Sequence, residues 1–100
     1  MKKIINNKKY DTETAKSIYT MAVHAIKNYG LTDKTLVISA WETIYQKKNG
    51  EYFIYREATG ENPLDIETII RPLTENRAKE YLQEWMDGDE YENMFGPVEE

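Results

Sequence analysis

The clearest pattern along the chain lies between Lys34 and Glu57, where "KTLVISAWETIYQKKNGEYFIYRE" sets two β-branched and aromatic runs on either side of Asn49-Gly50. Alternation places Trp41, Thr43 and Tyr45 on one face of the first run, with Glu42, Ile44 and Gln46 on the other. In the second run Phe53 and Tyr55 alternate with Tyr52 and Ile54. Asn-Gly between alternating runs predicts a β-hairpin. Because both faces carry apolar side chains, both are expected to be partly covered.

Upstream, Ala15, Ile18, Tyr19, Ala22, Ile26 and Tyr29 recur at intervals of three or four, and Gly30 follows as a stop. This spacing predicts an amphipathic helix capped by Asp11 or Thr12, with Glu13 in its first turn and His24 at its solvent edge or core margin. Ahead of it, Ile4 and Ile5 precede Asn6-Asn7. Asn tolerates positive φ, so a two-residue type I′ hairpin is expected there.

Beyond the long hairpin, "ATGENPLD" reads as a loop, and "ETIIRPLT" as a short strand that Pro72 must end or confine to an edge. Thr74 is expected to cap a second helix with Ala78, Tyr81, Leu82 and Trp85 on its inner face and Glu75, Lys79, Glu80 and Glu84 in water. Gly88 breaks that helix. Asp89 then begins a helical turn whose Met94 and Phe95 fold back onto the body before Gly96-Pro97. These elements predict one α+β domain over residues 1–100, with a short acidic turn and tail over 87–100. Its small antiparallel sheet, two hairpins plus a short strand, packs against two amphipathic helices.

The 40% apolar and 31% charged residues suit a single globular core. With no Cys, disulfides, thiolate zinc sites and a cysteine nucleophile are excluded. No apolar run resembles a secretory signal or reaches the roughly 18 residues of a membrane span, so a cytoplasmic protein with no membrane partner is expected. Net charge is −5, but residues 1–34 hold seven Lys and three acids, whereas residues 80–100 hold eight acids and no base. The acidic total disfavours direct nucleic-acid binding, and the acidic end suits a basic partner.

No catalytic or cofactor motif stands out, and His24 is the only histidine. Neither an enzyme nor a cofactor or metal site is expected. A calcium loop counted from Asp87 would have Glu92 where Gly is needed and Val98 where Glu is needed. Lys2, Lys3, Lys8 and Lys9 could meet phosphates, although lysines on a short hairpin also blunt an exposed sheet edge. Glu84, Asp87, Asp89, Glu90 and Glu92 fall within nine positions around Tyr91. On a helix and a turn, such carboxylates can imitate the phosphates of a nucleic-acid strand, or they can serve solubility alone. With Tyr45 and Tyr55 as further aromatic contacts, they are the candidate partner-binding residues.

"KKIINNKKYDTETA", "YQKKNGEYFIY" and "RPLTENRAKEYLQEWMDGDEYENMFG" together resemble a family of short proteins from phages and mobile elements of Gram-positive bacteria, over about half of the chain. The segments "AKSIYTMAVHAIKNYG" and "REATGENPLD" depart from that family's pattern. By class, the resemblance implies an anti-defence protein like the anti-CRISPR inhibitors, acting without catalysis as an acidic plug in the basic groove of a host defence protein or nucleoprotein, Cas effectors included. Two alternatives stay open: a nucleic-acid-binding or regulatory accessory protein of a mobile element, using the lysine hairpin, and a self-assembling structural protein forming a homo-oligomer.

Overall fold

The computed structural model describes residues 1–30 and 32–100, with the backbone alone at Tyr29. Strands β1 (Lys2–Ile5) and β2 (Lys8–Asp11) form a two-stranded antiparallel sheet of their own. They meet at Asn6 and Asn7, whose φ values of 51° and 61° are the left-handed pair required by a type I′ turn. Strands β3 (Lys16–Tyr29), β4 (Asp33–Gln46), β5 (Tyr52–Ala58) and β6 (Ile69–Leu73) form an antiparallel sheet in that order, followed by helices α1 (Glu75–Trp85) and α2 (Gly88–Phe95). The class is α+β, dominated by strands. The amino-terminal hairpin stands apart from the main sheet instead of extending it.

The helix expected after Asp11 or Thr12 is instead the 14-residue strand β3. Part of its misleading periodicity comes from a β-bulge: Ser17 lies opposite Tyr45 and Tyr19 opposite Ile44, leaving Ile18 as an extra residue. Ile18 and Tyr19 consequently both pack against the same cluster, and strict alternation is lost. A second bulge leaves Ser39 as the extra residue on β4, between the pairs Val23–Ala40 and His24–Ile38. The β-branched residues Ile18, Thr20, Val23 and Ile26 favour the extended chain. His24 is exposed. Asp11 caps a turn, not a helix, accepting from the Glu13 N–H at 2.9 Å. The side chain of Tyr29, also assigned to the helix face, lies outside the described residues.

Both faces of the main sheet are covered in part. On one, Ile44, Tyr52 and Ile54 pack with Ala78 and Leu82 of α1 and Tyr91 of α2. On the other, Phe53 and Ile70 pack with Tyr10 of β2, joined by Ile5, Tyr45 and Tyr55. The Phe53 ring stacks on Tyr45 at 5.1 Å and meets Tyr10 edge-on at 5.6 Å. Full burial of a side chain such as Phe53 or Ile44 stabilises the fold by about 1.5–3 kcal/mol.

Charge fixes the small hairpin to the sheet. Lys8 and Lys47 meet Glu51 at 2.7 and 3.0 Å, and Lys47 Nζ lies 4.3 Å from the Tyr10 ring centre. Glu51 closes the β4–β5 turn, where the Lys47 N–H donates to the Glu51 carbonyl at 2.7 Å. Gly50 there takes φ 94°, the left-handed position of a three-residue hairpin loop. Pro72 sits on β6, an edge strand, where a missing N–H leaves no inner ladder broken.

Candidate partner-binding surface

Helix α1 begins where the Thr74 hydroxyl accepts from the Arg77 N–H at 3.1 Å, and it buries Ala78 and Leu82. Its end is tied by the Met86 N–H donating to the Leu82 carbonyl at 2.8 Å. One residue later Asp87 caps α2, its carboxylate accepting from the Asp89 N–H at 3.2 Å and its carbonyl from the Tyr91 N–H at 3.0 Å. Gly96, at φ 93°, closes α2. Asp89 and Glu90 lie in the first turn of α2, where the helix dipole favours negative charge. Helices this short depend on tertiary packing, supplied by Tyr91, Met94 and Phe95.

Glu84, Asp87, Asp89, Glu90 and Glu92 are all exposed. Among the described residues none of the five has a basic partner, whereas Glu42, Glu51, Glu61, Glu75 and Glu80 each form an ion pair. Glu92 is oriented by accepting from the Val98 N–H at 3.1 Å. From Glu84 to Glu92 the chain therefore carries acidic side chains and no basic one, with Lys79 Nζ 5.1 Å from the Phe95 ring centre at the other end of α2. An open groove of about 570 Å³ runs beside Glu90, bordered by Lys16 and Gln46 on the sheet and Asn93 and Met94 on α2.

Tyr91 requires a correction. It is only 9% exposed, with its ring 4.8 Å from that of Phe95 and its hydroxyl accepting from Gln83 Nε2 at 3.0 Å. Rather than offering its face to a partner, it anchors α2 to the core. Tyr45 and Tyr55 are half-buried beside Phe53, across the sheet from the helices. Burial first, then the charge of Glu57, raises the pKa of both phenols. The structure brings the five carboxylates to one end and leaves the two tyrosines on the other face.

Several exposed apolar residues escaped the sequence reading as candidates. Trp41 is 43% exposed, on the face that alternation shared among Trp41, Thr43 and Tyr45. Ile26 and Leu36 are more exposed still and lie directly opposite each other on β3 and β4. Lys2, Lys3, Lys8 and Lys9 are exposed, but Lys8 is held by Glu51, whose hydrogen bond and charge raise its pKa.

Among the described residues, no three His, Asp or Glu side chains are grouped so as to hold a metal ion, and no helix is long and apolar enough to cross a membrane. Compared with protein-family models, curated proteins and solved structures, the chain matches none of them at a significant level.

Proposed function

We propose that this protein is a non-catalytic inhibitor that binds the basic, nucleic-acid-receiving groove of a bacterial defence nucleoprotein, such as a Cas effector, and blocks it with the acidic end of α1 and α2. The observation that carries this reading is the set of five exposed carboxylates, without basic partners among the described residues, on and between two helices fixed to the core. Asp89 and Glu92, three residues apart on α2, hold their Cβ atoms ~5–6 Å apart, on the scale at which phosphates recur along a strand. Lysines and arginines built to receive phosphate would form charge-assisted hydrogen bonds with such a surface, and its field would speed encounter. The resemblance of the opening, hairpin and closing stretches to mobile-element proteins supports the same reading.

The test is functional. Phage plating is scored on a Gram-positive host with an active Cas effector, with this protein expressed in wild-type form, as Asp89→Lys/Glu92→Lys, or as Lys3→Glu/Lys9→Glu. Rescue of plating by the wild type and the lysine variant, but not by the carboxylate variant, supports the proposal. Rescue by the carboxylate variant at wild-type level contradicts it.

A further inference from the structure

Strand β3 is the outer strand of the main sheet, and half of it leaves the body. β5 pairs with β4 only from Ala40 to Gln46, so His24–Tyr29 and Asp33–Ser39 continue past β5 as a two-stranded arm. Among the described residues, no backbone hydrogen bond reaches β3 from any segment except β4. Every second residue of β3 therefore turns its N–H and C=O outward.

Such an edge is normally blunted by proline, by a dense row of charges or by a cover. Between Thr20 and Asn28, β3 has no proline and one charged residue, Lys27. One face of the arm is occupied, because Lys27 pairs with Glu61 and the Asn62 side chain, accepting from the Ile66 N–H, also receives the Ser39 hydroxyl. Ala25, on the Lys27 side of the strand, is buried. The opposite face is open and carries the Ile26–Leu36 pair, 54% and 63% exposed, with His24 and Asn28 on either side of Ile26.

We propose that this edge is a symmetric dimer interface, filled by β3 of a second copy running antiparallel about a two-fold axis at Ile26. In that register Ile26 lies opposite the Ile26 of the second copy, His24 opposite its Asn28, and Ala25 opposite its Lys27. The pairing sets no like charges against each other. It also joins Leu36 and Ile26 of both copies into one apolar row across four strands and satisfies the outward backbone groups of both edges. A self-complementary strand of this kind needs no other partner chemistry, and the acidic end of the helices is not part of it.

The absence of cysteine permits a direct test. Directly opposed antiparallel residues have Cα atoms ~4.5–5.5 Å apart, within disulfide reach. Ile26→Cys is therefore expected to form a disulfide-linked dimer rapidly under mild oxidation, whereas Ser17→Cys, exposed on the same strand but far from the axis, remains largely monomeric. Sedimentation equilibrium of the wild type should give twice the chain mass, and Ile26→Lys the monomer mass with an unchanged circular dichroism spectrum. A wild type that sediments as a monomer at every concentration overturns the proposal, as does cross-linking of Ser17→Cys as fast as of Ile26→Cys.

Discussion

The side-chain amide of Gln83 donates to the Tyr91 hydroxyl at 3.0 Å, joining the outer side of α1 to the buried anchor of α2. The acidic end owes its geometry chiefly to the buried Tyr91 ring, because α2 has only eight residues and would not persist without that packing. Tyr91→Ala is expected to destabilise the protein by about 3–5 kcal/mol through the cavity it opens. Tyr91→Phe, which loses only the hydroxyl, should cost about 1 kcal/mol and leave α2 in place. Urea denaturation of both variants checks the difference, and equal losses would mean that the ring does not anchor the helix.

The Asn6-Asn7 turn predicts a second effect. Asn7 has φ 61°, where a β-branched residue is strained. Asn7→Val should therefore lower stability by about 1–2 kcal/mol, while Asn7→Gly should be neutral or slightly stabilising. Thermal denaturation distinguishes these outcomes from a turn that is merely exposed and indifferent.

Glu51 gives the fold a pH dependence. Hydrogen bonds from Lys8, then Asn49 and Lys47, pull its carboxyl from an ordinary 4.5 down to about 2. As the lowered value belongs to the folded state, the clamp contributes fully above the unfolded value and is lost as pH falls through about 2. The stability gap between wild type and Glu51→Gln should be open at neutral pH, close as acid is added, and shrink in high salt. A gap that stays constant down to pH 2 would contradict the clamp.

Arg56 donates to one oxygen of Glu42 through Nε at 2.9 Å and Nη2 at 2.7 Å, across the centre of the sheet. Both side chains are largely shielded, so their coupling should lie between that of exposed and buried pairs, about 1–2 kcal/mol. A double-mutant cycle of Glu42→Ala and Arg56→Ala measures it directly.

Much of the architecture was legible because local rules and tertiary packing agree. Asn6-Asn7 and Asn49-Gly50 make hairpins, Pro72 lies on an edge strand, and Thr74 caps a helix, each set by backbone chemistry that neighbours do not override. Strand β3 was not legible, because the bulge at Ile18 breaks the two-residue period and sends the neighbours Ile18 and Tyr19 to one cluster, as a helix face would. Its β-branched and aromatic residues were the signal that could have corrected the reading. The acidic residues of the candidate surface could be located by charge alone. Tyr91 could not be placed, since its neighbours are acidic and exposed while its ring completes a core built from β4, β5 and α1.

The central claim, that the acidic end of α1 and α2 is the surface that meets a partner, is tested most directly by affinity capture with three baits. Wild type, Asp89→Lys/Glu92→Lys and Lys3→Glu/Lys9→Glu are each passed through a nuclease-treated lysate of a Gram-positive host with an active defence system, and bound proteins are quantified by mass spectrometry. The expected result is one defence nucleoprotein enriched by the wild type and the lysine variant and lost from the carboxylate variant. Retention of that partner by the carboxylate variant, or its loss from the lysine variant alone, would contradict the account.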